Sequence, residues 1–170
     1  CGEDYKDRLE KTMNFDKIIF VCTGNTCRSP MAEAIYISMT TAERIPCISR
    51  GTVVLFPEPT NPKADTVLAN HNLVSEHHES CQLSEEDITE NTLVLTMTER
   101  QKNQVLETFG EETCVYTIKE FNGETGDVVD PYGGTIVEYE ECYNDLAKLI
   151  RKTVYKLEED GIEKNVEEEQ

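Results

Sequence analysis

Ile18-Ile19-Phe20-Val21-Cys22-Thr23-Gly24-Asn25-Thr26-Cys27-Arg28-Ser29-Pro30-Met31-Ala32-Glu33 is the stretch that decides the fold. Four apolar residues end in a cysteine, a short polar loop follows, and an apolar pattern at helical spacing begins. That is strand, loop and helix start. Pro30 suits a first helical turn, where its missing N–H has no partner to lose. The N–H groups of such a loop converge on one point below the helix N-terminus. Orphan donors and the helix dipole make that point an oxyanion site.

Cys22 stands at the strand end beside this site, and Arg28 follows after five intervening residues. Helix N-termini and neighbouring cations favour the thiolate, the reactive form of cysteine. Cys22 is therefore the expected nucleophile, with Ser29 donating a hydrogen bond to its sulfur. Arg28 offers two parallel N–H donors to two phosphate oxygens. The bland alternative is a buried strand cysteine and an arginine that only caps a surface. The flanking strand, Gly24 and Asn25 within the loop, and the Ser-Pro helix start favour the phosphate reading.

The rest of the chain extends the same alternation. Lys17–Val21, Cys47–Leu55, Thr92–Met97 and Cys114–Ile118 read as strands. Helices are expected over Pro30–Thr41, with Met31, Ala34, Ile35, Ile37 and Ser38 on or near the buried face, and from Pro62 to about Asn70 behind an Asn61 cap. Ser84-Glu85-Glu86-Asp87 reads as a short capped helix. Thr98 and Gln101 form a capping box that opens a helix ending at Gly110. A last helix runs from about Thr135 to Glu158. The sequence thus predicts an α/β fold: one three-layer domain, a four-stranded parallel sheet with helices on both faces, and a phosphate-binding loop after the first strand. Residues 1–15 read as an N-terminal extension, 16–158 as the domain and 159–170 as an acidic, disordered tail.

Composition narrows the partners. Sixteen Lys and Arg against 34 Asp and Glu leave a formal net charge of −18. Nucleic acid and anionic membranes are poor partners for such a chain. No apolar run approaches the length of a transmembrane helix, and no signal-peptide pattern is visible. Seven cysteines without regular spacing point to a reducing, cytoplasmic setting. His71, His77 and His78 lack partner ligands, so no metal site is expected, and no cofactor is called for. A monomer is the expectation.

The run Val21–Glu33 resembles the signature loop of the low-molecular-weight protein phosphatases, and within them the bacterial protein-arginine phosphatases. The resemblance extends from about Lys17 to about Leu157. It implies that Cys22 forms a phosphocysteine on phosphorylated protein substrates. The phosphate is then held by Arg28 and by the loop from Thr23 through Gly24, Asn25, Thr26 and Cys27 to Ser29. Asp130-Pro131-Tyr132, in the loop before the last helix, resembles the general-acid loop of the same enzymes. On local sequence alone Asp130 could equally be a turn residue. The resemblance implies Asp130 as acid and base and Tyr132 as a wall of the cleft. An acid there is expected to be partly desolvated beside the aromatic. Asn25 resembles the asparagine that holds the loop in its strained shape, and His78 the histidine that hydrogen-bonds it, although an ordinary surface histidine reads almost as well. Cys27 resembles the partner of a reversible, protective disulfide with Cys22; it could also be a small buried loop residue.

Substrate choice rests on Thr26. It resembles the threonine of protein-arginine phosphatases, where tyrosine-specific relatives carry a bulkier aliphatic residue. A phosphotyrosine-specific enzyme is the alternative. Arsenate reductase of the same fold relays a disulfide to two cysteines after the third strand. Thr96-Met97-Thr98-Glu99-Arg100 and the following helix contain none. A phosphoryl carrier or silent phosphate-binding module would not need Asp130.

Overall fold

A computed structural model describes residues 15–75 and 77–168, with side chains to 158. Four strands, β1 (Lys17–Cys22), β2 (Cys47–Gly51), β3 (Thr92–Thr96) and β4 (Val115–Thr117), form one sheet in the order β2-β1-β3-β4. Every pairing is parallel. The helices are α1 (Arg28–Met39), α2 (Pro62–Asn70), α3 (Glu99–Phe109), α4 (Ile118–Phe121) and α5 (Ile136–Glu168), with a 3₁₀ turn at Glu85–Asp87.

Side-chain alternation along β1 explains the three layers. Ile18, Phe20 and Cys22 join Met31 and Ile35 of α1, Val67 and Leu68 of α2, and Leu146 and Ile150 of α5 in one buried cluster. Ile19 and Val21 point the other way, onto Val105 of α3 and Leu83. Both faces of β1 are covered, so it reads as an unbroken apolar run. The chain leaves β1 toward β2 on one side and β3 on the other. The strand ends therefore diverge around the C-terminus of β1, where doubly wound sheets bind ligands.

Several boundaries differ from expectation. Ile37 and Ser38 are exposed; Tyr36 is buried in their place, with its hydroxyl donating to the Ile45 carbonyl at 2.9 Å. α1 begins at Arg28, two residues before Pro30, so the last three loop-motif residues are already helical or at its first turn. β2 stops at Gly51 because β1 ends opposite it at Cys22: Thr52 still donates to Cys22 O at 3.0 Å, and Val53 then follows the chain into the loop and donates to Thr23 O at 3.1 Å. Leu55, expected within the strand, is 88% exposed. β4 is short because Thr117 ends it by capping α4, a helix the sequence reading did not separate; its hydroxyl accepts from Glu120 N–H at 3.0 Å.

The helical backbone of α5 continues to Glu168, ten residues past the expected end at Glu158. The apolar stripe ends there, but Glu- and Lys-rich sequence propagates a helix already nucleated. Residues 1–14 of the expected extension, and the last two residues, lie outside the described part. Phe15, counted with the extension, packs against the core. No helix among the described residues is long and apolar enough to cross a membrane.

Candidate active site

Cys22 ends β1 nearly buried, and its sulfur has two donors or partners in the loop. Asn25 N–H donates to Sγ at 3.2 Å, and Ser29 Oγ lies 2.9 Å away. Thiol sulfur is a weak acceptor when neutral and a strong one when ionised. Both contacts hold the sulfur in place at the end of β1.

Asn25 holds the loop in shape. Its φ is +56°, a left-handed backbone that asparagine tolerates better than most side chains. Its side chain is fully buried and fully used: Nδ2 donates to Ser29 Oγ at 2.7 Å, and Oδ1 accepts from Cys81 N–H at 3.0 Å. With Nδ2 donating to Ser29 Oγ, the serine hydroxyl hydrogen can turn to the sulfur at 2.9 Å or to the Arg50 carbonyl at 3.4 Å. His78 Nε2 meets the Asn25 backbone carbonyl at 2.7 Å. The expected histidine–asparagine contact is thus present, but on the main chain. A carbonyl only accepts, so Nε2 carries the hydrogen.

Arg28 is 5% exposed and spans two segments. Nη1 donates to Val128 O at 3.0 Å, and Nη2 lies 3.5 Å from Asp130 Oδ2. The sheet brings the Asp130 loop to it. Met97 N–H donates to Val21 O at 3.1 Å, Val128 N–H donates to Met97 O at 2.9 Å, and the Val128 carbonyl then receives Arg28. Cys22, Arg28 and Asp130 are brought to one end of the sheet.

Asp130 is more open than expected. Its side chain is 54% exposed, Tyr132 is 75% exposed, and Oδ1 accepts from Tyr132 N–H at 3.1 Å in an Asx turn. The aromatic does not shield the carboxyl in the free protein; any desolvation must come from substrate.

Thr26 is half-buried, its hydroxyl 3.8 Å from Cys27 Sγ, and its carbonyl accepts from Asn61 N–H at 2.8 Å. Cys27 is buried with Sγ 3.6 Å from the Tyr139 hydroxyl. Burial pushes the Cys27 thiol up, against the lowering effect of the Tyr139 and Thr26 hydrogen bonds. Cys22 and Cys27 are both free thiols. Gly24 has open space: an added Cβ would come no closer than 3.8 Å to Thr26 Oγ1. Thr23 is the exposed member of the loop, and its Oγ1 accepts from Gln101 Nε2 at 3.1 Å.

Three supports escape the sequence reading. Gly51 lies directly under the loop; a Cβ there would stand 2.6 Å from Thr23 O and 3.1 Å from Asn25 Cβ. The main chain of Cys81 anchors Asn25 from 56 positions away. Gln101 carries a capping-box signature, which says nothing of its second bond to Thr23. Only for Gly51 was there a local signal, a glycine breaking a β-branched run.

A family model described as low molecular weight phosphotyrosine protein phosphatase matches residues 17–165. The chain is 40% identical over 136 residues to a low molecular weight protein-tyrosine-phosphatase PtpB of Staphylococcus haemolyticus, covering 80% of this chain and 96% of that one. It is 42% identical over 149 residues to a protein-arginine-phosphatase of Bacillus subtilis, covering 84% and 97%. Among solved structures, the YwlE arginine phosphatase from Geobacillus stearothermophilus superposes with a TM-score of 0.81 at 36% identity, covering 86% of this chain and 96% of that one. A YwlE arginine phosphatase mutant with a phosphorylated active site serine gives 0.78 at 38% identity, covering 85% and 97%. This chain is a cysteine-dependent protein phosphatase and belongs to the low molecular weight phosphotyrosine protein phosphatase family.

Proposed function

We propose that the chain hydrolyses phosphoarginine in proteins through a phosphocysteine on Cys22. The observation that carries the mechanism is the pairing of Cys22 Sγ with Ser29 Oγ and Asn25 N–H, in the same loop whose Arg28 reaches Asp130. The phosphoryl group lies against the N–H groups of Thr23 to Ser29, with the Arg28 guanidinium on its oxygens. It displaces the Asp130 carboxylate from Nη2, and the released carboxylate takes up a proton from solvent. The Cys22 thiolate attacks phosphorus; the P–N or P–O bond breaks, and Asp130 gives its proton to the leaving atom. Asp130 then takes a proton from water as that water attacks the phosphocysteine, releasing phosphate and restoring the thiolate. Asn25, Ser29 and His78 hold the loop, and Tyr132 borders the leaving group.

The choice of phosphoarginine rests on Thr26. Its relatives carry both tyrosine- and arginine-phosphatase names, so their names do not decide. A half-buried hydroxyl in the loop accommodates a guanidinium better than a phenol ring, for which an aliphatic wall is the better surface. Cytoplasmic phosphoproteins are the proposed substrates. The test compares phosphoarginine and phosphotyrosine peptides with wild type and Thr26→Ile. Wild type is expected to favour phosphoarginine in kcat/KM, and the isoleucine variant to shift toward phosphotyrosine. Equal or reversed preference in wild type would remove the arginine assignment. Loss of turnover in Cys22→Ser supports the nucleophile independently.

A further inference from the structure

Gln101 is buried at 2% exposure at the start of α3, and every polar atom of its amide is spoken for. Oε1 accepts from Thr98 N–H at 3.1 Å and shares the Met97 N–H, at 3.0 Å, with the Val21 carbonyl. Those two donors fix which end of the amide is oxygen. Nε2 must therefore point outward, and it donates to Thr23 Oγ1 at 3.1 Å. A hydroxyl that accepts from an amide keeps its own hydrogen for another partner. Among the loop residues from Cys22 to Ser29, Thr23 alone is exposed, and it directly follows the nucleophile position.

We propose that Gln101 is a positioning residue that sets the polarity of the Thr23 hydroxyl, so that Thr23 Oγ1–H donates to a phosphoryl oxygen of bound substrate. This rests on the reading of the Cys22–Arg28 loop as the phosphate site. Beside the main-chain donors of the loop and the Arg28 guanidinium, Thr23 adds a hydroxyl donor whose accepting side is occupied by a residue 78 positions away. With Oγ1 already accepting from Gln101, the hydroxyl meets an arriving anion as a donor, which is the condition for useful preorganisation.

Gln101→Glu tests the polarity. One carboxylate oxygen still accepts from Met97 and Thr98, so α3 keeps its start. The other can only accept, which turns the Thr23 hydrogen inward and away from the anion. The new charge also repels phosphate, so the variant is read in a cycle with Thr23→Val. Inorganic phosphate affinity is measured by calorimetry, and kcat/KM on a phosphopeptide, for wild type, both single variants and the double variant. Thr23→Val should weaken phosphate binding about three- to tenfold, the range for one hydrogen bond. Gln101→Glu should weaken it when Thr23 is intact, with that effect at least about threefold smaller in the Thr23→Val background. Additive effects within about twofold, or a Thr23→Val protein that binds phosphate as wild type does, would overturn the proposal. If Gln101→Glu melts well below wild type, Thr23→Ser against Thr23→Val decides instead: serine near wild type and valine weak supports it, and equal affinities overturn it. Should wild type itself fail to bind phosphate, or Cys22→Ser keep turnover, the loop reading fails rather than this one.

Discussion

Gly51→Ala adds one methyl group beneath the loop, and its consequence can be worked from distances. The new Cβ would lie 2.5 Å from Val54 Cγ2 and 2.6 Å from Thr23 O. Ordinary carbon–oxygen contacts begin near 3.3 Å, so the Thr23 carbonyl has to retreat by roughly 0.7 Å. Val54 can shift, because it lies in the connection after β2. The carbonyl cannot move alone: it already accepts from Val53 N–H at 3.1 Å, and it belongs to the residue that directly follows Cys22 in the chain. Overpacking of this kind costs about 1–3 kcal/mol. At roughly 3 °C per kcal/mol for a chain of this size, Tm should fall by about 3–9 °C. A displacement approaching 1 Å at a reacting group costs on the order of 100-fold in rate. Differential scanning calorimetry and steady-state hydrolysis of a phosphopeptide read both. Gly24→Ala is the control, since its Cβ would meet nothing closer than 3.8 Å; its Tm should stay within about 1 °C. A Gly51→Ala protein with wild-type kcat/KM would refute the reasoning that this glycine sets the height of the nucleophile loop.

Two further predictions follow the same logic. Asn25→Ala removes the bonds to Ser29 Oγ and Cys81 N–H and leaves a left-handed backbone without the residue that tolerates it. It should lose about 2–4 kcal/mol of stability in urea melts and at least about tenfold in kcat/KM; unchanged activity would contradict the loop-holding role. Burial pushes the Cys142 thiol from 9.0 up to about 12 and, with the same sign, the Cys47 thiol to about 12 and the Tyr36 hydroxyl to about 12. The folded protein keeps protons the unfolded chain gives up, so this stability is complete below about pH 9 and is lost as pH rises toward 12. Tm should decline above pH 9, and Cys142→Ala should flatten that decline; identical alkaline slopes would contradict it.

The loop and the sheet were legible because their signals are local. Ile18 to Val21 lie between neighbours on both faces, and such burial writes an unbroken apolar run. Asn61-Pro62 and Thr98 with Gln101 mark helix starts by chemistry that acts within three residues, and α2 and α3 begin where those marks stand. What stayed hidden is non-local. The exposure of Asp130 depends on how Tyr132 turns, which a three-residue motif does not encode. The anchor on Asn25 is a main-chain N–H of Cys81, and no side-chain type announces a main-chain donor. β2 ends early because its partner strand β1 ends at Cys22, opposite Gly51, and turns into the loop, which a β-branched run does not record. Tyr36 is buried where Ile37 was expected, with its hydroxyl bonded to the Ile45 carbonyl nine positions on, a contact that helical spacing does not record.

The most direct test of the account is to trap the covalent intermediate. Wild type and Asp130→Asn are mixed with a phosphopeptide carrying labelled phosphate, quenched in acid within the first turnovers, and mapped by mass spectrometry. Label should appear on Cys22 and on no other residue, and Cys22→Ala should take up none. Label on His78, or steady turnover with no labelled protein at any time, would contradict a phosphocysteine at the end of β1.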